Sequence, residues 1–484
     1  VVGGGAAGLA TAVSAAYEGE TDIILLEKMS ALGGNAIRSG GFIEDLNPGD
    51  DRAIEMTDSY TKTIEDMLQA GPQDDSEKTV WDDLVKAYDE YKASGKTTLF
   101  DCPALLAIEY HRVEGSDCEL NMPYAEIVNT FDDWFINEVG AKMSKMVGIV
   151  GYTWPRWTYP TDYTRGSGYF AYLTQYIKDK DLDITIMTET PATELLTDEN
   201  GAVTGVKAES ADGTIYTINA KKVVLATGGF SANGEMIMEY DTQWGITTPD
   251  IKTDNNPGNT GDGITMAQKL GGATAAMDNI MMFPLSTKGN SDASGAFGFN
   301  GSSNLMINTK GVRFVDETAS RFEICHAIFE QEEPYYYIIS DALNSRVDKM
   351  TEEELQKSID AGVVFKGDTL EELAEKIGVD ADTLKATVEQ YNTACETSND
   401  ELFGRTSFAD GSEIVQGPFY ATALEPCSHI TIGGLVVDDN YAVLTDDGKP
   451  IENLYAVGET IVGSCGLSAF AYGKDLGARL ANAN

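Results

Sequence analysis

The turn Gly3-Gly4-Gly5-Ala6-Ala7-Gly8 constrains this chain more than any other stretch. Val1-Val2 read as the end of a strand whose beginning lies upstream, and the residues after the turn are small enough for a helix to about Tyr17. Asp22–Glu27 (D-I-I-L-L-E) is the short apolar run of a buried parallel strand. G-x-G-x-x-G alone is a weak signal. Here it stands between a strand and a helix, and Glu27 closes the second strand nineteen residues after Gly8. Each part then has a physical task. Gly3 permits the tight turn, Gly5 lets the backbone approach a pyrophosphate, and Gly8 lets helix and strand pack closely. Ala6 and Ala7 open a helix whose free N–H groups and dipole favour an anion. Glu27, with Lys28 beside it, is placed to accept hydrogen bonds from a ribose diol.

Later segments extend the site beyond what a nicotinamide dinucleotide needs and point to FAD. Gly33-Gly34-Asn35 and Ser39-Gly40-Gly41 follow at once on the ribose-binding acid, where a backbone can lie against the flavin side of a long cofactor. Ala226-Thr227-Gly228-Gly229 ends an apolar strand, and Gly261-Asp262-Gly263 opens another helix. Gly458-Glu459 ends a late strand with an acid suited to ribityl hydroxyls. Ser468-Ala469 begins a helix whose N–H groups suit the flavin pyrimidine carbonyl. Ala192 is counted with these cofactor residues. No attachment signature is visible, so FAD is expected to be held non-covalently.

Between these markers, residues 51–145 are mostly helical in pattern, and 145–169 are aromatic and loop-like. Residues 183–227 alternate with period two and read as a β-meander ending in the strand Val223–Thr227. From about 278 short strands give way to helices. Thr369–Glu372 is a capping-box pattern, and a second helix fits Asp382–Glu396.

Taken in order, these segments resemble the soluble fumarate reductase group of flavoproteins, which includes flavocytochrome c fumarate reductases and urocanate reductase and, more distantly, the 3-ketosteroid dehydrogenases. Gly311-Val-Arg-Phe-Val-Asp-Glu317 with Arg321, Asp400-Glu-Leu-Phe-Gly-Arg405 and His429-Ile-Thr-Ile-Gly-Gly434 carry the likeness beyond the FAD segments. The resemblance implies an α/β fold: a Rossmann-like FAD-binding domain of the glutathione-reductase/succinate-dehydrogenase flavoprotein type, with an inserted α+β capping domain. The FAD domain is expected in two pieces, 1–277 and 430–484, around a capping domain at 278–429, with the active site at their interface.

The resemblance also implies a reaction, the reduction of an activated C=C bond, with hydride from flavin N5 and a proton from an arginine that maps onto Arg321. An arginine is a surprising acid, since its free pKa exceeds about 12, so a neighbouring network must lend and replace the proton. Its charge also stabilises a developing enolate. The alternative is that Arg321 merely pairs with Glu317 or Glu323. Arg313 is assigned to structure. His429 maps onto the group's substrate-binding histidine and is suited to hold a carboxylate or carbonyl oxygen.

The departures from the pattern concern the substrate. Where fumarate reductases grip a second carboxylate with a histidine and a Thr-Glu pair, this chain has Phe283 and roughly Ala296-Phe297. No arginine follows Gly458-Glu459 before Arg479. Each lost charge-assisted hydrogen bond is worth about 1.5–3 kcal/mol, so fumarate is not the expected substrate. Phe283, Phe297, Phe299, Tyr152 and Trp154 instead suggest an acrylate or enone with a bulky apolar or aromatic substituent. The alternatives are a ketosteroid-type dehydrogenase, and a flavin electron-transfer subunit without its own substrate.

A formal net charge of −44 argues against nucleic acid as a partner. It is compatible with a separate, basic electron donor, a cytochrome or flavin carrier. No C-x-x-C occurs among the six cysteines, so neither haem nor a cluster is expected, and no metal site. No run of 18 apolar residues appears. The family analogy fits an exported protein, and a cytoplasmic one is also compatible.

Overall fold

The computed structural model describes residues 1–482 apart from 47, 115, 150–151, 290–303, 342–349 and 465. The chain sorts into two compact units. One comprises Val1–Phe230, Asn256–Met277 and Thr431–Asn484, the other Ser231–Asn255 and Asp278–Ile430. The second unit thus takes in a segment, 231–255, that the sequence reading assigned to the long first piece.

In the first unit, Val2 is bridged in parallel to both Leu26 and Leu225. Ile23–Leu26 pairs in parallel with Ile184–Met187, and Leu454–Ala456 with Val223–Leu225. These pairings place Val2 at the centre of a mostly parallel sheet. By the period-two pattern, Ile184–Met187 counts as the start of the meander. It joins this sheet instead, and the antiparallel meander consists of Ala192–Thr197, Val203–Glu209 and Ile215–Asn219. Period-two alternation marks a strand and not its partner, which is why the two could not be separated.

The first helix, Ala6–Tyr17, is buried along nearly its whole length. Its small residues allow the last helix, Ser468–Asn482, to come very close. A Cβ on Gly473 would lie 2.3 Å from the carbonyl oxygen of Ala7, so only glycine fits there. Against these helices packs Cys118–Asn137, whose Phe131 and Phe135 stack with Tyr169 and Phe470 at centroid distances near 5 Å. Each such ring contributes about 1.5–3 kcal/mol by burial. Asp58–Ala70, Asp75–Ser94 and Pro103–Glu114 complete the helical stretch expected over 51–145.

The second unit is built on a five-stranded sheet whose long strand, Phe419–Thr431, lies between Ile280–Thr287 and Tyr336–Asp341. Leu305–Ile307 pairs antiparallel with Tyr336–Asp341, and Val364–Gly367 with the long strand. Helices Leu370–Ile377 and Ala381–Thr397 bury Leu373, Leu384 and Tyr391 against the sheet. The capping pattern at 369–372 is half realised. Thr369 accepts the N–H of Glu372, while the Glu372 carboxylate takes the N–H of Asp368 instead of Thr369. Segment 231–255 joins this unit through Trp244. Its ring stacks on His326 at 4.4 Å, and its indole N–H donates to the carbonyl of Ile280.

The motifs around Gly311 and Asp400 meet in a buried ionic cluster. Arg313 is paired with Glu317 and Asp400, and Arg405 with the same Glu317, at 2.8–3.0 Å. The two carboxylates hold the Arg313 guanidinium well above the usual arginine range against the opposing effect of burial. Two cations and two anions offset one another, so removing a single member leaves a charge stranded in the core. Glu317→Gln is therefore expected to lower the unfolding free energy of this unit by about 3–5 kcal/mol, read from the urea midpoint.

Candidate functional site

The glycine-rich turn opens onto a cleft that is partly open to solvent. Gly3, Gly5, Ala6, Ala7, Glu27, Lys28, Gly34, Asn35, Ala192, Ala226, Thr227, Gly228, Asp262, Gly458, Glu459 and Ala469 all line it. These residues come from eight separated stretches of chain, which the fold brings to one place.

Two glycines of the turn show why it is built as it is. At Gly3, φ is +105° and a Cβ would lie 2.2 Å from the Ala226 carbonyl oxygen, so the protein itself requires glycine. Gly5 is different. It caps the first helix at φ −78°, which any residue can adopt, and a Cβ there would meet no protein atom within 4 Å. What a side chain at Gly5 would obstruct is the cleft. No side chain caps the helix that follows, and its first turn carries no acid. Its N–H groups are therefore left to an anion.

The two acids are already oriented. Glu27 accepts the N–H of Gly4 at 2.8 Å and of Met29 at 2.7 Å. A carboxylate has about four acceptor positions, so capacity remains for a diol. Glu459 accepts from Asn259 Nδ2 at 3.1 Å and from the N–H of Thr431 at 3.2 Å. Lys28 is tied across the rim to Asp262 at 2.7 Å and to Thr260 Oγ1 at 2.6 Å.

Other expected cofactor residues lie behind the lining. A Cβ on Gly8 would collide with the Gly3 carbonyl oxygen, and one on Gly229 with Thr431 Oγ1. The Gly41 carbonyl accepts from Tyr169, and Ser39 Oγ donates to Ala36. Gly33, Gly40 and Ser468 are likewise outside the lining set. Conversely Met29, Thr190, Pro191, Asn256, Gly258, Asn259 and Met266 line the cleft without having been expected. The stretch Asn255-Asn-Pro-Gly-Asn-Thr-Gly261 is dense in turn residues, and that was the available signal.

A second set of candidates gathers within the other unit. The Phe283 ring stacks on the His429 imidazole, centroids 4.9 Å apart and 25° from parallel. The Arg321 guanidinium lies 5.3 Å from the centre of the same ring, within cation–π range. Arg321 is the first residue of the helix Arg321–Phe329, which Ser320 and Glu323 cap reciprocally. Glu323 is thereby committed to Ser320, and Glu317 to Arg313 and Arg405. Neither acid pairs with Arg321, which has no ion pair among the described residues. His429 Nδ1 is 2.7 Å from Asp254 Oδ2. One helical turn beyond Arg321, burial pushes the Cys325 thiol up to about 12, with the arginine charge opposing that rise.

The other substrate candidates are placed elsewhere. Trp154 is buried in the helical core of the first unit, edge-on to Tyr60, with its indole N–H donated to the Phe100 carbonyl at 2.6 Å. Tyr152 packs against Trp157 at 4.6 Å. Neither lines the cleft. Phe297 and Phe299, with Ala296, lie outside the described residues. Among the described residues there is no cluster able to hold a metal, and no helix is long and apolar enough to cross a membrane.

A family model described as an FAD binding domain matches residues 1–471. The NADH:acrylate oxidoreductase of Vibrio harveyi is 32% identical over 511 residues, covering 99% of this chain and 49% of that protein. This chain thus spans about half the length of that relative. The urocanate reductase of Eggerthella lenta (strain ATCC 25559) is 30% identical over 500 residues, covering 99% and 74%. Among solved structures, the open conformation of a flavocytochrome c3 fumarate reductase is similar with a TM-score of 0.73 at 24% identity, covering 99% of this chain and 77% of that one. At that identity the match speaks to the fold. The cleft, its glycine turn and these likenesses agree: the chain belongs to the FAD-binding-domain family of flavoproteins, and FAD is its cofactor.

Proposed function

We propose that this chain reduces a C=C bond activated by a carboxylate or carbonyl group, using FAD held in the cleft described above. Bound FAD supplies the hydride equivalent. The chain's own residues do the rest. Glu27 meets the ribose diol, the N–H groups after Gly5 meet the pyrophosphate, and Glu459 meets the ribityl hydroxyls. Arg321 and His429 hold the activating oxygen of the substrate and stabilise the negative charge that develops on it. Arg321 also delivers the proton to the α-carbon.

The observation that carries this reading is the grouping of Arg321, Phe283 and His429, with Arg321 left without an acid partner among the described residues. A guanidinium of purely structural use would be expected to find a carboxylate, as Arg313 and Arg405 do. The relatives named for acrylate and urocanate reduction support the same reaction class.

Phe283 supports the finer choice of substrate. Its ring lies against both donors with an apolar face and offers no hydrogen bond. One oxygen-bearing group is served at this site, and a bulky or aromatic substituent is tolerated beside it. Cinnamate fits this description better than fumarate. Electrons come from a separate donor, a cytochrome or flavin carrier.

The test is direct. The FAD-loaded protein is reduced with a viologen under anaerobic conditions, then mixed with acrylate, cinnamate, urocanate, fumarate or a cyclic enone. Re-oxidation by cinnamate or the enone, well ahead of fumarate, is expected. Indifference to every acceptor would move the assignment to an electron-transfer flavoprotein.

A further inference from the structure

We infer that Asp254 is the positioning residue for His429, and that the short run Lys252–Asn255 in the second unit holds that histidine's ring in one orientation, with Nε2 left for the substrate. The inference rests on the reading that His429 meets the substrate oxygen. Four contacts fix the run along the histidine's own strand. The N–H of Ser428 donates to the Lys252 carbonyl at 2.7 Å, and Thr253 Oγ1 donates to the Ser428 carbonyl at 2.9 Å. Asn255 Nδ2 donates to the His429 carbonyl at 2.6 Å, and Asp254 Oδ2 meets His429 Nδ1 at 2.7 Å. The backbone of His429 and its ring are thus held by neighbouring residues of one segment.

The ring is fixed from two directions. Asp254 sets its rotation through Nδ1, and Phe283 lies flat against its face. The Asp254 side chain is only 9% exposed, against 27% for His429. A carboxylate accepts and does not donate, so Nδ1 must carry the proton. Nε2 is then the nitrogen left for the substrate oxygen, which it serves as a second N–H donor, with the Asp254 carboxylate offsetting the charge of a ring that donates from both nitrogens. An amide in place of Asp254 can still accept from Nδ1 but carries no charge to offset that of the ring. The same logic orients catalytic imidazoles on unrelated folds.

The Ser428 N–H and the carbonyls of Ser428 and His429 hold the run that carries Asp254 within the second unit. The chain returns to the cofactor cleft two residues later, at Asn256, whose N–H donates to Asn35 Oδ1 at 2.7 Å.

The experiment uses FAD-loaded wild type, Asp254→Asn, Asp254→Glu and His429→Ala, with 15N-labelled histidine. The chain has three histidines, and His429→Ala assigns the resonance. In the wild type and Asp254→Glu the Nδ1 proton of His429 is expected to resonate well downfield, as in a charge-assisted hydrogen bond, and in Asp254→Asn to move upfield. An unchanged Nδ1–H resonance in Asp254→Asn would overturn the inference, and this readout needs no acceptor. With cinnamate as the probe and viologen as donor, Asp254→Asn is expected to lose about 10- to 100-fold in kcat/KM, the worth of one charge-assisted hydrogen bond. Its FAD spectrum should be unchanged, and Asp254→Glu should recover part of the loss. If His429→Ala is inactive while Asp254→Asn turns over normally, the positioning role fails and the functional reading stands. If His429→Ala itself turns over normally, the functional reading fails.

Discussion

Arg321→Ala is expected to lower the rate of flavin re-oxidation by an unsaturated acceptor by about 10³-fold or more, while the protein keeps its FAD. Two losses combine. Removing one group that stabilises a developing oxyanion costs about 10²–10³-fold, and removing a positioned general acid costs about 10²–10⁴-fold. They are not additive when one side chain supplies both. The fold should not suffer. Arg321 is exposed, and the cap of its helix is made by Ser320 and Glu323 without it. Arg321→Lys restores the charge without the planar fork and is expected to recover only a small part of the rate. Stopped-flow re-oxidation of the viologen-reduced protein, with the visible spectrum as a measure of retained FAD, decides the matter. Normal turnover in Arg321→Ala would remove the arginine from the mechanism.

Gly5→Val is expected to raise the dissociation constant for FAD by about 10²-fold or more and to leave the apoprotein folded. The backbone at Gly5 already has the extended ψ and negative φ that valine favours. The added carbons enter space that no protein atom occupies. They displace the pyrophosphate from the helix N-terminus, and losing a few charge-assisted hydrogen bonds at about 1.5–3 kcal/mol each accounts for the effect. Gly3→Ala makes the contrast. There the new methyl group meets the Ala226 carbonyl at 2.2 Å in a left-handed backbone, so the variant should lose thermal stability even without FAD. Fluorescence titration with FAD, beside thermal unfolding of both apoproteins, separates a ligand-imposed glycine from a fold-imposed one. Equal FAD affinity in Gly5→Val and wild type would mean that the pyrophosphate lies elsewhere.

How much of this was legible in the sequence depended on distance along the chain. The turn at Gly3–Gly8, the acid at Glu27 and the helix starts at Asp262 and Ser468 follow from local rules, and the structure places elements there. Asn256 could not be found that way. It enters the cleft beside Asn35, 221 residues earlier, and no periodicity reports such a meeting. The parallel strand Ile184–Met187 was hidden for the same reason. Trp154 shows the opposite error. An aromatic residue in an aromatic stretch was read as facing a substrate, when its indole N–H is spent on a core carbonyl. Arg321 and His429 became candidates through a family resemblance. Their approach to one phenylalanine ring is a tertiary fact that composition and spacing do not contain.

The ionic cluster of Arg313, Glu317, Asp400 and Arg405 has a consequence for how this protein can change over time. It fastens together two points 88 residues apart, Glu317 and Arg405, and the helix bearing Arg321 begins four residues after the first of them. The helices Leu370–Ile377 and Ala381–Thr397 lie in the intervening loop of chain. Because both ends of that span are fastened, the point where the arginine's helix starts depends on these four charged residues. Variation among homologous chains should therefore spare them.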